Sequence, residues 1–224
     1  MNSPDNPPDL EHTLRAAVVR TAQALDAHRL NSGSAGNVSV RWQDGMLITP
    51  SGVPADALTC EQISRVDGQG TASGPLPPSS EWRFHLAVYR QRAEAGAVVH
   101  CHSPFATALA CQRREIPPFH YMIARFGGDT VRCADYATFG TQALSDSVLR
   151  ALSGRSACLM ANHGMLVFGT DAAHALATAL ELETLCEQYW RSCQLGPPSL
   201  LDAAEMQRVI ERFRHYGQPL RHDV

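Results

Sequence analysis

His100 and His102 stand two residues apart in VVHCHS, and an extended strand turns residues i and i+2 to the same face, so both imidazoles can reach one metal ion. Glu81 in PPSSEW and His163 in ANHG offer two further donors, and the four together could complete the tetrahedron that zinc takes with nitrogen and oxygen ligands. Such a set suits a catalytic metal centre. The His-x-His pair alone would be weak, since half-buried structural histidines are common. Other histidines, including His12, His28, His85, His174 and His222, fall in helices or the tail and read as ordinary surface or core residues.

A second chemistry is written in the turns. Ser34, Ala35, Gly36 and Asn37 form a flexible turn before one strand, and Thr49, Pro50, Ser51 and Gly52 form another after it. Ser79 and Ser80 add hydroxyls at a helix start. Exposed backbone N–H groups and the positive end of a helix can bind phosphate without a lysine, although each turn by itself also reads as a plain Gly/Ser turn.

These residues need elements to hold them. Leu14, Val18, Leu25 and Leu30 follow helical spacing through Leu10–Arg29, which NSGSAGN interrupts. NVSVRW and GMLITP, separated by Gln43, Asp44 and Gly45, predict a hairpin. A short helical turn after Thr59, a strand at ISRVD and a loop over 68–78 follow. Ser80 is the expected N-cap of a helix carrying Glu81 in its first turn and Trp82, Leu86 and Tyr89 as contacts. AGAVVHCH reads as a buried strand ending at the histidines, with Ser103 and Pro104 opening the next helix. SACLMANHG and MLVFG are strands, Asp171 caps a long helix, and AAEMQRVIERFRHYG is a last helix stopped by Gly217 and Pro219.

Composition bounds the function. A 224-residue chain with 44% hydrophobic and 18% charged residues can bury one sizeable core, and neither a repeat nor a linker divides it. The expected domain is 10–224, after a polar, Pro-rich stretch 1–9 without fixed structure. A net charge of -3 and scattered basic residues give no footprint for nucleic acid or for a membrane surface. Seven cysteines without a Cys-x-x-Cys pair, and a start lacking any secretion signal, point to the cytoplasm.

The tracts SAGNVSVRWQDGMLITPSG, LPPSSEWRFHLAVYR, AVVHCHS, IPPFHYMIA, YATFGT and NHG resemble the class II aldolase and adducin family, and within it the enzymes that cleave L-fuculose 1-phosphate. The resemblance runs in order from about Leu14 to Tyr216. It implies an α/β fold of one domain, with a central, mainly antiparallel β-sheet between helices in three layers. It also implies one Zn2+ per subunit on His100, His102 and His163, with Glu81 as fourth ligand at rest. Phosphate would be held by Gly36, Asn37, Ser51, Gly52, Ser79 and Ser80, and Phe139, Phe213 and Tyr216 would wall the aldehyde. The assembly would be a C4 homotetramer with active sites between subunits.

The implied reaction is reversible cleavage of a deoxyketose 1-phosphate, L-fuculose 1-phosphate first, into dihydroxyacetone phosphate and L-lactaldehyde. Zinc would stabilise the enediolate as a Lewis acid. Glu81, displaced by substrate oxygens, would then move a proton at carbon. Tyr121 would exchange the C4 hydroxyl proton in a neighbouring subunit's site, with help for a phenol whose ordinary pKa is about 10. Ser51 stands where threonine is common, which keeps the hydroxyl. Arg125 and Phe126 replace small residues and could change the aldehyde accepted. The resemblance also admits 5-deoxyribulose 1-phosphate or its methylthio analogue, a ribulose-phosphate 4-epimerase, a methylthioribulose-phosphate dehydratase and a non-catalytic adducin-like module. The tyrosine of HYM speaks against the epimerase, and four intact ligands against the module.

Overall fold

The first hairpin forms where two runs of β-branched and apolar residues meet across a two-residue turn. β1 (Asn37–Trp42) pairs antiparallel with β2 (Gly45–Ile48), Trp42 opposite Gly45, and Gln43 closes the turn at φ 53°. In the computed structural model, which describes residues 8–215, α1 (Pro8–Ala27) precedes this hairpin, so the helix starts at Pro8 rather than Leu10. The short turn after Thr59 is a 3-10 helix, Cys60–Gln62, followed by β3 (Ser64–Val66), and the loop over 68–78 carries a two-residue strand, β4 (Ala72–Ser73).

The second half supplies α2 (Trp82–Gln91), β5 (Ala97–Cys101), α3 (Pro104–Cys111), β6 (Cys133–Ala134), α4 (Gln142–Ala151), β7 (Ala157–Met160), β8 (Gly164–Gly169), α5 (Ala172–Gln194) and α6 (Ala203–His215). The stop expected at Gly217 and Pro219 lies outside the described residues. The strands form one sheet in the order β4-β3-β2-β1-β5-β8-β7-β6, parallel only at the β6–β7 edge. The mainly antiparallel sheet between helix layers is therefore the observed architecture.

Alternation along the strands divides the core. Val38, Val40 and Val99 pack with Val18 and Leu25 of α1, Leu109 of α3 and Leu182 of α5, whereas Ile48, Val98 and Leu166 pack on the other face with Phe84 and Val88 of α2 and Leu144 of α4. Each fully buried side chain of this kind contributes about 1.5–3 kcal/mol. Both faces are covered, so β5 is central and buried along its whole length. That places His100 deep in the molecule, while His102, just past the strand end, is exposed. Among the described residues no helix is long and apolar enough to cross a membrane, and all seven cysteines are free thiols.

Candidate metal centre

Antiparallel pairing brings three histidines to one point. Within β5, His100 faces Asn37 of β1 on one side and Leu166 of β8 on the other, and His102 follows just past the strand end. His163 sits in the turn between β7 and β8, and the Cys101–Met165 pairing lays that turn beside His102. Gly164 is required there, because a Cβ would lie 2.5 Å from the Cys101 carbonyl and 3.0 Å from the His102 ring. Behind His102, Ser103 is the N-cap of α3, as expected, but its hydroxyl donates to Glu183 of α5. The same carboxylate accepts the N–H groups of Phe105 and Ala106, so an acid from another helix caps α3 and fixes the residue after His102.

Glu81 arrives from the start of α2. Glu81, not Ser80, occupies the N-cap position, and its carboxylate makes no cap bond. It is turned instead toward the imidazoles, with Oε2 3.2 Å from His100 Nε2 and Oε1 3.2 Å from His163 Nε2. Ser79 takes over locally, its hydroxyl accepting the Glu81 N–H.

The geometry fits a cation. One ligating atom from each of His100, His102 and His163 lies within 4.8 Å of the others. His100 Nδ1 donates to the Met165 carbonyl at 2.8 Å, since a carbonyl only accepts, and this turns Nε2 inward. There it meets His102 Nε2 at 3.0 Å and Glu81 Oε2 at 3.2 Å. Lone pairs gathered this closely need positive charge among them, a proton or a metal ion. Glu81 Oε1 is buried with no hydrogen-bond partner and faces His163 Nε2, a placement that suits a carboxylate ligand to a cation.

Protonation states agree. Burial, helped by the neighbouring His100, brings His102 and His163 down to about 4, so their lone pairs are available near neutrality. Burial opposes ionisation of Glu81, but the attraction of His100 and His163 and the Asn37 amide outweigh it and bring its pKa to about 2. Three imidazoles and one carboxylate are a zinc-type donor set.

Two turns close over this floor. Pro50 bridges to Pro78, Ser51 donates to the Pro78 carbonyl at 2.9 Å, and the Ser79 N–H donates to Thr49, which stitches one anion-type turn to the other. Asn31 ties in the third, accepting the His102 N–H at 3.0 Å. Gly36 lies against Asn31 at φ 71°, where any Cβ would strike that side chain. A cavity of about 380 Å³ results, lined by Gly36, Asn37, Ser51, Gly52, Ser79 and Ser80 together with Glu81, His102 and His163. Phe139 lines it as well, as do Tyr136 and Asn162, neither of which the sequence singled out.

The remaining aromatic residues lie elsewhere. Tyr121 and Phe213 stack at 6.4 Å and line a separate cavity of about 1470 Å³ with Arg125, away from the imidazoles of their own chain. Tyr216 lies outside the described residues. Phe126 is fully buried in the core, so the influence on the aldehyde expected of it has no direct route, and only Arg125 of that pair reaches a cavity.

His85, set aside as an ordinary residue, is fully buried beside the site, hydrogen-bonded to Asn37 and Ser39. Burial brings its pKa down to about 3, below the ordinary value of 6.5. Between those values the unfolded chain binds a proton that the folded one refuses, so stability falls as pH drops below 6.5. Thermal melts of metal-free protein from pH 7 to 5 should show a loss on the order of 1 kcal/mol per pH unit from His85, added to those of His102 and His163, and an equally steep loss in His85→Gln would contradict a neutral buried His85.

Comparison with known proteins converges on one group. The model of the Class II Aldolase and Adducin N-terminal domain matches residues 16–190. A 5-methylthioribulose-1-phosphate/5-deoxyribulose-1-phosphate aldolase of Rhodospirillum rubrum is 50% identical over 204 residues, covering 91% of this chain and 92% of its own. The L-fuculose phosphate aldolase of Escherichia coli K12 is 44% identical over 205 residues, covering 91% and 95%. The solved structure of an L-fuculose 1-phosphate aldolase superposes with a TM-score of 0.87 at 34% identity, covering 93% of this chain and 98% of that one.

Proposed function

This chain belongs to the class II aldolase and adducin family and is a class II aldolase, a lyase; from that premise we propose that it reversibly cleaves a deoxyketose 1-phosphate to dihydroxyacetone phosphate and a small aldehyde. One observation carries the reading. A single cavity joins a floor of Glu81, His102 and His163, with His100 buried beneath it, to walls made of neutral Gly/Ser turns. The sequence adds a chemical argument, because all 19 of its Lys and Arg residues are arginines. Without a lysine, a Schiff base cannot activate the ketone, and another electrophile has to.

In this reading His100, His102 and His163 hold zinc, with Glu81 as fourth ligand. Once bound, zinc supplies a Lewis acid for the negative charge that develops on the ketone oxygen. The phosphate rests against the Gly36, Ser51–Gly52 and Ser79–Ser80 turns at the N-terminal end of α2, where backbone N–H groups and hydroxyls serve as donors. Asn37 contributes its main chain, since both ends of its amide are engaged. Held there, the substrate presents its C3–C4 bond to the floor, and binding energy remote from the bond goes into orientation. Tyr121 takes the C4 hydroxyl proton as the bond breaks, and Glu81 returns a proton to C3.

Tyr121 and Phe213 line a cavity apart from the imidazoles of their own chain, which supports a C4 homotetramer in which they complete a neighbour's site. Phe139, 65% exposed at the mouth of the cavity, would face the aldehyde's apolar end together with Phe213 and Tyr216. The free cysteines suit a cytoplasmic enzyme.

L-Fuculose 1-phosphate, giving L-lactaldehyde, is the first substrate proposed. A second reading, 5-deoxyribulose 1-phosphate or its methylthio analogue, is favoured by the relative at 50% identity. All three ketoses end in an apolar methyl or methylthio group. Incubating the protein with each and measuring dihydroxyacetone phosphate should give cleavage of at least one, with kcat/KM ranking them. Cleavage of none would defeat the aldolase reading of this site.

A further inference from the structure

Glu81 ends a chain of hydrogen bonds whose every direction is fixed by chemistry. A carboxylate only accepts, so Asn37 must turn its Nδ2–H to Glu81 Oε2, at 3.0 Å, and its Oδ1 the other way. Oδ1 meets His85 Nε2, which must therefore carry the ring proton. The neutral ring then presents Nδ1 as an acceptor, and Ser39 Oγ–H donates to it at 2.7 Å. With its proton committed, Ser39 Oγ accepts the Tyr89 O–H at 2.8 Å. Asn37, Ser39, His85 and Tyr89 are all buried.

Two elements make the chain possible. Asn37 and Ser39 are i and i+2 on β1, and Glu81, His85 and Tyr89 recur every four residues at the start and along one face of α2. The relay holds one carboxylate oxygen and leaves the other to face His163. Glu81 Oε1 has no hydrogen-bond partner, whereas Oε2 is tethered to Asn37.

We infer that His85, through Ser39 and Tyr89, is a positioning residue that locks the Asn37 amide in the one orientation presenting an N–H to Glu81. An amide without that lock can swing away from the carboxylate, and Glu81 Oε2 loses the donor that holds it. The inference rests on the role proposed above for Glu81 as ligand and proton carrier. Removal of an orienting partner of a metal ligand typically costs about 10–100-fold in metal affinity or activity.

The test compares His85→Leu, which removes both ring bonds, with His85→Gln, which keeps an N–H for Asn37 Oδ1. Ser39→Ala serves as a milder variant if the leucine protein does not fold. Each is made in the wild-type and in the Glu81→Gln background, and zinc Kd by chelator competition is measured alongside kcat and KM. His85→Leu should weaken zinc binding and lower kcat by about 10-fold or more with KM little changed. His85→Gln should regain most of the loss. In the Glu81→Gln background the His85 changes should cost nothing further, because the group being positioned is gone. Equal losses in both backgrounds, or a glutamine no better than leucine, would overturn the inference. Should the wild-type protein cleave no ketose phosphate, the proposed reaction fails, while the zinc-affinity cycle still decides the role of His85.

Discussion

Replacing His102 with alanine is expected to leave a folded protein that no longer retains stoichiometric zinc and whose kcat/KM falls by about 1,000-fold or more. The fold should survive because His102 is the most exposed of the three imidazoles and stands just beyond β5, outside the ladder that holds the sheet. The chemistry should not survive. Once substrate displaced Glu81, only two imidazoles would remain to hold the metal, and the Lewis acid contributes several kcal/mol, each 1.36 kcal/mol being about tenfold in rate. Elemental analysis after dialysis, a thermal melt and a cleavage assay separate these effects. Full zinc occupancy with ordinary turnover would remove His102 from the site.

Where the sequence was legible, a short-range period carried the information. His-x-His on an apolar strand fixes two imidazoles on one face whatever else the fold does, and the hairpin at Gln43–Asp44 follows from local turn chemistry. Long-range pairing carries the rest. That His163 reaches His102 depends on β5 and β8 pairing across more than 60 residues of chain, which the resemblance implied and no local pattern encodes.

The misplaced helix start has a similar cause. Serine is the better intrinsic cap, but Glu81 takes the N-cap position because its carboxylate is drawn to His100, His163 and Asn37. His85 was legible only as one more polar residue on α2. Its spacing of four from Glu81 was the available signal, and it acquires meaning once Asn37 of β1 is set opposite His100. By contrast, α4 was open to reading, with Leu144, Val148 and Ala151 at helical spacing behind the Thr141 cap.

A mixture of two inactive variants should recover activity that neither has alone. Tyr121→Phe removes the phenol proposed for the C4 proton and should lower kcat by about 100- to 10,000-fold while zinc content stays intact, and Glu81→Gln should cause a loss of the same order. Tyr121 and the imidazoles line different cavities of one chain. If a neighbour's Tyr121 completes each site, a ring assembled from both variants contains some sites with an intact Glu81 and an intact Tyr121. For random assembly in equal amounts about one quarter of the sites qualify, so co-refolded protein should reach about a quarter of wild-type turnover. Were Tyr121 to serve the zinc of its own chain, every site would lack one group or the other. The mixture would then stay as inactive as its parts, and the separation of the two cavities would have to close within a single chain.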